Sequence, residues 1–217
     1  MILTGNSTPD SAKSTGPSWS LASQDGISGT INRVYTGDPF GIARAEHGHA
    51  PQPAMTGTER EHRYEVHLAW TGGQQGSSPF RNHSRDYLLI SGTKPPISGS
   101  ADPVFRGNPA RWNPEELLVA SLAACHQLWY LGLCAAAGIV VVAYEDDAEG
   151  VMRETSPGGA GAFTEVVLRP RVVLAPASDL ATAEALHHQA HERCFIARSV
   201  NFPVTLVPQT VIGPAPA

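Results

Sequence analysis

The segment Asn113–Gly138, NPEELLVASLAACHQLWYLGLCAAAG, decides the fold because it predicts one long apolar helix with Cys125 near its middle. Asn113 is a favourable N-cap residue, Pro114 suits the first helical position, and Gly138 suits the end of the helix. Between these signals, large apolar side chains leave no continuous polar face: Leu117, Leu118, Val119, Leu122, Leu128, Trp129, Leu131 and Leu133. A helix that is apolar on most sides is usually buried on most sides. We therefore expect it to form the centre of the domain.

The composition excludes several classes of partner. The 217 residues carry a net charge of −5, with no run of basic residues and only two lysines, so we expect neither nucleic acid nor an anionic membrane as a partner. Polar His126 and Gln127 interrupt the apolar helix, which argues against a membrane span. The N-terminus lacks a secretory pattern, and three cysteines do not make a disulfide framework. We expect a cytoplasmic protein with reduced thiols.

The first part of the chain divides into an extension and a hairpin. Residues 1–60 are rich in Gly, Ser, Thr and Pro without periodicity, which predicts a flexible N-terminal extension with no assigned function. Apolar and polar residues alternate over Arg63–Trp70, and Phe80–Ile90 returns as a second strand. The Gly- and Pro-rich segment Ser91–Trp112 predicts a long irregular loop, of a length that usually has a function.

The second part predicts strands around a second helix. Ser178 or Asp179 is expected to cap a helix that runs to about Cys194. The predicted strands are Ile139–Tyr144, Val151–Glu154, Phe163–Leu174, with Pro170 at an edge or bulge, and Val204–Val207. This order predicts an α+β fold, with an antiparallel sheet packed around two central helices. The domain is expected to span residues 61–210, followed by a C-terminal tail over residues 211–217.

The three cysteines differ in the roles that their positions allow. Cys125 and Cys134 lie nine residues apart on one helix, a rotation of about 900° that points them to opposite faces. They therefore cannot bridge each other, and Cys134 is most simply a small buried apolar residue. Cys125 and Cys194 form the remaining pair, which two packed helices would bring together.

A metal site is an alternative interpretation of the second helix. His187, His191 and Cys194 have i, i+4 and i+7 spacing, so they share one helical stripe. Imidazole and thiolate groups on one face are zinc ligands, and Cys125 with His126 would complete the set. The simpler interpretation places these histidines on the solvent side of an amphipathic helix.

Two glutamates at the start of the central helix have different expected roles. Glu116 is the third helical residue after the cap Asn113, so it is expected to close a capping box. Glu115 lacks that role and is the better candidate for chemistry. Ten residues separate it from Cys125, about 15 Å along a helix, so another loop or a second subunit would have to complete a shared site.

These blocks resemble a known family. NPEELLVASLAACH, followed about seventy residues later by HERCFIARSVNFPV, is similar to the OsmC/Ohr family of osmotically inducible and organic-hydroperoxide-resistance proteins. The resemblance covers about Arg63–Pro208. It implies an OsmC-like fold in an intertwined homodimer, with sites at the subunit interface, and a thiol peroxidase that uses no metal or other cofactor.

The resemblance also implies roles for single residues. Cys125 corresponds to the peroxidatic thiolate, Cys194 to the resolving thiol, and Glu115 to the carboxylate that orients an arginine beside Cys125. The arginine is predicted to be Arg85, with three alternatives: Arg81, Arg106 and Arg111. An organic hydroperoxide would be the substrate, and an external dithiol such as a lipoyl protein would be the reductant.

Elementary chemistry agrees with this cycle. A thiolate attacks an O–O bond, and a mid-helix cysteine gains nothing from the helix dipole, so a guanidinium has to stabilise the charge. Two other functions stay open: a redox-sensing or ligand-binding OsmC-like protein with little turnover, and the His/Cys metal-binding module.

Overall fold

The computed structural model describes residues 60–72, 76–77 and 83–213. The expected N-terminal extension, apart from residue 60, and the alternative arginine, Arg81, lie outside these residues.

The described residues form nine strands and two α-helices. In chain order they are β1 (His67–Trp70), β2 (Tyr87–Ile90), β3 (Ile97–Gly99), α1 (Pro114–Ala136), β4 (Val141–Asp146), β5 (Glu149–Glu154), β6 (Gly161–Leu168), β7 (Pro170–Leu174), α2 (Leu180–Arg193), β8 (Val204–Leu206) and β9 (Gln209–Ile212). Short 3-10 turns follow β3, at Pro103–Phe105, and α2, at Ala197–Ser199. The α+β class predicted from the sequence is confirmed.

The strands form three small sheets, with orders β1-β2-β3, β4-β7-β9 and β5-β6-β8. β1 and β2 pair antiparallel with His67 opposite Ile90, which confirms the predicted hairpin. The expectation of a purely antiparallel sheet needs correction, because β6 pairs parallel with β8 and β7 pairs parallel with β9. These parallel pairs arise because α2 carries the chain back across the domain before β8 and β9 begin.

The helix α1 begins with the capping box that the sequence predicts. The Asn113 side chain accepts a hydrogen bond from the Glu116 backbone N–H (2.7 Å), and the Glu116 carboxylate accepts one from the Asn113 N–H (3.1 Å). These bonds satisfy two backbone donors that a helix start leaves open. At the other end Gly138 has φ +71°, a left-handed conformation that glycine adopts without a steric penalty. The helix therefore starts and stops where its sequence directs.

The prediction that α1 is buried on most sides is wrong for a single chain. Its fully buried residues form one stripe at four-residue spacing: Leu122, His126, Tyr130 and Cys134. The first half of the helix packs on β6 through Leu122, and the second half packs on β4, β7 and α2 through Tyr130 and Cys134. Leu128 on another side is 70% exposed. The helix thus keeps a large apolar surface outside the core of its own chain.

Several boundaries differ from those predicted, and three of the differences change the order of elements or the extent of the domain. The segment 91–112 contains β3 and a 3-10 turn, so it is more ordered than a loop. The predicted strand over residues 163–174 is two strands that meet at Arg169, because β7 starts at Pro170 and pairs with a different sheet. β9 crosses the expected start of the C-terminal tail at residue 211, because its backbone pairs with β7.

By length and composition alone, α1 is apolar enough to cross a membrane. The core helix of a globular domain meets the same criterion, and α1 packs against α2 and two sheets. The observation is therefore weak evidence for a membrane span.

Candidate functional site: a thiol pair between two helices

Cys125 and Cys194 meet where α1 packs against the end of α2. Their side chains are in hydrogen-bond contact, although 69 positions separate them in the chain. Cys194 is the C-cap residue of α2, and its sulfur also accepts a bond from the Ala197 backbone N–H (3.4 Å). Both cysteines are free thiols. The predicted juxtaposition of this pair is therefore present in the structure.

The two thiols differ in their environment. Cys194 is 1% exposed, whereas Cys125 is half-buried. Burial, followed by the hydrogen bond with Cys125, raises the pKa of Cys194 to about 11. Cys194 therefore keeps its proton near neutral pH, whereas Cys125 is the more accessible of the two sulfurs.

Aromatic side chains stand beside the thiol pair. Trp129, one helical turn after Cys125, packs edge-on against Phe195, the residue after Cys194, with ring centroids 5.6 Å apart. Phe195 is 66% exposed. Two aromatic side chains therefore lie near the cysteines in the chain, and one of them is exposed.

Glu115 lies at the start of α1, away from the thiols of its own chain. Its negative charge helps to raise the pKa of Tyr87 on β2, although burial of Tyr87 is the larger cause. One carboxylate oxygen of Glu115, Oε2, is buried and has no hydrogen-bond partner among the residues that the structure describes. A buried carboxylate oxygen without a donor is costly, so this position calls for a cation or another donor.

The candidate arginines among the described residues precede β2 or follow β3 in the chain. The Arg85 guanidinium donates from Nη1 to the carbonyl of His83 (3.0 Å). Arg111 forms an ion pair with Asp86 (3.2 Å), and Arg106 is the left-handed residue that ends the first 3-10 turn. The assignment of Arg85 to Cys125 stays a prediction.

A groove of about 650 Å³ runs along α1 beside β4, β5 and β6. Small residues of the helix, Ala120, Ala123 and Ala124, line one side. Glu115, Tyr144 and Asp146 also line it, and each has a buried polar atom without a partner in the described part of the chain. The groove therefore combines a small-residue wall with polar groups that a single chain leaves unsatisfied.

Next to the thiol pair, the contact between α1 and α2 holds two buried histidines. His126 Nε2 and His187 Nδ1 are 3.1 Å apart, and His187 Nε2 lies 3.4 Å from the Thr210 hydroxyl on β9. Tyr130 stacks on His187 with ring centroids 3.9 Å apart. Burial lowers the pKa of His126 to about 4 and that of His187 to about 3. Both imidazoles are therefore neutral near neutral pH.

The metal-binding interpretation does not fit this geometry. Both ring nitrogens of His187 are used inside the protein, and the Cys194 side chain is in contact with Cys125. No group of three or more His, Cys, Asp or Glu side chains in residues 60–72, 76–77 and 83–213 is arranged to hold a metal ion. The simpler interpretation of these histidines also fails for His187, which is 1% exposed and belongs to the core.

Sequence reasoning missed two tyrosines with buried hydroxyls. Tyr144 lines the groove, and Tyr130 belongs to the histidine cluster. The signal was present for Tyr130, because His126, Tyr130 and Cys134 follow one another at four-residue spacing. Polar groups on such a stripe predict a buried hydrogen-bonded network.

Comparison with known proteins connects this geometry to a family. A family model described as OsmC-like protein matches residues 107–208, which contain α1, α2 and both thiols. The solved structure of an OsmC-like protein of unknown function from Vibrio cholerae matches with a TM-score of 0.62 and 32% identity, covering 68% of this chain and 99% of that one. None of the curated proteins matches the chain.

More distant structures share the fold. An organic hydroperoxide resistance protein from Elizabethkingia anophelis has 20% identity and a TM-score of 0.52, with 70% of this chain and 100% of that chain covered. An OsmC-like protein from Mycoplasma pneumoniae has 16% identity and a TM-score of 0.50, covering 72% and 99%. At these identities the likeness describes the fold alone.

Proposed function

Because the chain belongs to the OsmC-like family, we propose that it is a thiol peroxidase that reduces organic hydroperoxides at Cys125. The observation that supports this most is the contact between half-buried Cys125 and buried, protonated Cys194. An accessible sulfur in contact with a second, protonated thiol is suited to attack first, and the second thiol is suited to attack later.

The cycle has two chemical steps on the protein. The Cys125 thiolate attacks the outer oxygen of ROOH, the O–O bond breaks, and the alkoxide takes a proton from solvent to leave as ROH. The sulfur is thereby oxidised by two electrons to a sulfenic acid. Cys194 then attacks that sulfur, the S–S bond forms, and the sulfenic hydroxyl leaves with the thiol proton as water.

An external dithiol completes the cycle by exchange. Its first sulfur opens the Cys125–Cys194 disulfide, and its second sulfur displaces the protein, which restores both thiols and leaves the reductant as a disulfide. A lipoyl protein or a similar dithiol is the class of reductant that we propose. A reducing compartment keeps these thiols available, so we place the protein in the cytoplasm.

The apolar surroundings favour an organic peroxide over hydrogen peroxide. Trp129 lies one helical turn after Cys125 and packs on Phe195, which follows Cys194, and Phe195 is exposed enough to contact a substrate. An alkyl or aryl group buried against these rings gains free energy that hydrogen peroxide cannot gain.

We also propose that a second copy of this chain completes the site. Glu115, Tyr144 and Asp146 leave polar atoms in the groove unsatisfied, and a guanidinium is a donor that would satisfy a carboxylate. Trp70 and Leu128 are examples of large apolar side chains that a single chain leaves exposed. A homodimer would cover apolar surface, and Arg85 is our candidate for the cation that Glu115 holds beside Cys125.

The test is turnover of cumene hydroperoxide with a dihydrolipoyl reductant, compared with hydrogen peroxide. Cys125→Ser is expected to abolish turnover. Cys194→Ser is expected to consume one equivalent of peroxide without recycling. Cys134→Ser is the matched control, because it changes a buried thiol that does not face the pair, and we expect it to retain turnover. Wild-type turnover by Cys125→Ser would refute the proposal.

The same assay separates the enzyme from a redox sensor. If the Cys125–Cys194 disulfide forms only slowly, at large excess of either peroxide, the protein is a sensor or a ligand-binding member of the family. Rapid turnover at low peroxide identifies the enzyme.

A further inference from the structure

The histidine pair begins one residue after Cys125. His126 lies on α1 and His187 on α2, and the structure leaves 0% and 1% of their side chains exposed. His126 Nε2 and His187 Nδ1 are 3.1 Å apart, and two neutral rings can form a hydrogen bond there in which one nitrogen donates and the other accepts. His187 is held further by Thr210 and by the stacked Tyr130 ring. This polar contact is thus built into the centre of the helix pair.

The His126 imidazole is poorly suited to act as a base for the Cys194 thiol. The pKa of Cys194 is about 11 and that of His126 is about 4. Proton transfer from this thiol to this imidazole is therefore uphill by several powers of ten in equilibrium constant. We therefore consider a role of the histidine pair in the geometry of the site, rather than in proton transfer.

The His126–His187 contact and the Cys125–Cys194 contact are geometrically coupled, because both join α1 to α2. Going along α1 from Cys125 to His126 and Tyr130, the partners on α2 run backward from Cys194 to His187, so the helices are antiparallel where they touch. Each step along a helix turns the side chain by about 100°, so the His126–His187 bond sets the rotation of α1 and with it the direction of the Cys125 side chain. Cys194, by contrast, is the C-cap residue, where the chain leaves the helix.

We propose that His126 and His187 are positioning residues that hold α1 against α2 so that the Cys125 sulfur stays within reach of Cys194. This inference deepens the proposed function, on which it rests for the sulfenic acid step. A disulfide forms only within narrow limits of Cβ–Cβ distance and dihedral angle. Loss of the histidine bond is expected to leave the first attack by Cys125 unchanged and to slow closure of the disulfide.

The test compares two variants of His126 that carry the same terminal amide on side chains of different length. The His126→Gln amide nitrogen falls near the position of Nε2, so it is expected to keep the bond to His187. His126→Asn is one methylene shorter and cannot reach. Each variant reacts with 5,5′-dithiobis(2-nitrobenzoate), which releases one thionitrobenzoate when Cys125 attacks and a second when Cys194 closes the disulfide.

We expect the first release at the wild-type rate in both variants. The second release should be about tenfold slower in His126→Asn and near wild type in His126→Gln. Peptide mass mapping assigns the disulfide to Cys125 and Cys194. With cumene hydroperoxide the same defect should appear as more trapping of the Cys125 sulfenic acid by dimedone. A general loss of packing would not separate the two releases in this way.

Each outcome decides the proposal. Closure at the wild-type rate in His126→Asn overturns it, and so does equal slowing in both variants, because the bond would then not be the cause. If His126→Asn does not fold, the His187→Phe variant replaces it. This variant keeps a ring against Tyr130 but offers no nitrogen to His126. Disulfide closure at the wild-type rate in His187→Phe would overturn the proposal. The thionitrobenzoate experiment uses no peroxide, so a wild-type protein that is inert to hydroperoxides refutes the proposed function and leaves this test intact.

Discussion

The side chains of Cys194 and Cys125 are in contact, and of the two only Cys125 is open to solvent. This relationship ranks the thiols by reactivity before any substrate is considered. We expect the half-buried Cys125 sulfur to react first with an added reagent. The buried, protonated Cys194 sulfur is expected to react only afterwards.

Alkylation by iodoacetamide should therefore be ordered. At about pH 8 a thiol with a pKa near 11 is almost wholly protonated, so we expect Cys125 to be labelled at least about tenfold faster than Cys194. Peptide mass spectrometry at timed intervals measures both rates. Cys134 is the internal control, because it is buried and burial raises its pKa. Equal rates at Cys125 and Cys194 would contradict the ranking.

Glu115→Gln should lower the rate of Cys125 oxidation by about tenfold if this carboxylate orients a guanidinium, because the amide keeps the shape and removes the charge. The same variant should lower the pKa of Tyr87, since Glu115 contributes to raising it. Stopped-flow peroxide consumption and ultraviolet titration of tyrosinate measure the two effects. Glu116→Gln changes only the neighbouring cap, so it should alter neither; a Glu115→Gln protein with wild-type kinetics would remove Glu115 from the site.

The free energy of unfolding should fall as the pH drops below about 6.5. His126 and His187 have pKa values of about 4 and about 3 in the folded chain, so the unfolded chain binds protons first. Each histidine adds a slope of up to about 1.4 kcal/mol per pH unit between its unfolded and folded pKa values. Tyr130 stacks on both rings, and the charges of His191 and His188 add to the lowering of the pKa of His126 and of His187, respectively.

Urea unfolding at several pH values measures this slope. His126→Gln removes one of the two titrating groups while keeping the expected bond, so its slope should be the smaller. His62→Gln is the control, because His62 is exposed and lies outside the pair. An unchanged slope in His126→Gln would show that the imidazole is already charged or exposed in the folded protein.

Asn113→Ala should destabilise the domain by about 1 kcal/mol, because it removes the side-chain acceptor that caps α1. Glu116→Ala, the comparison variant, loses only the reciprocal bond to the Asn113 N–H and should cost less. Both values come from urea unfolding followed by circular dichroism. Equal stability of Asn113→Ala and wild type would mean that the cap is not formed.

Leu128→Asp should convert the proposed homodimer to a monomer, because a carboxylate would be buried in the apolar surface of α1. Light scattering coupled to size exclusion measures the mass. Val104→Asp is the matched control, since Val104 is 80% exposed on the 3-10 turn and lies off α1. A wild-type chain that runs as a monomer would overturn the dimer proposal directly.

The sequence alone determined the local features of this protein. The cap at Asn113, the stop at Gly138, the first hairpin and the α+β order follow from propensity and periodicity, which depend on neighbours in the chain. The same reasoning identified Cys125 and Cys194 as the pair that packed helices would join. It failed where pairing is non-local: β9 and the two parallel strand pairs depend on partners far away in the chain.

Only the tertiary structure decided what each side chain meets. It brought the side chain of Cys194 against Cys125, placed His126 on His187 rather than on a metal, and limited the buried part of α1 to one stripe. Such outcomes depend on the register and rotation of two helices against each other. Those variables are set by the summed packing of the whole core, which no single motif encodes.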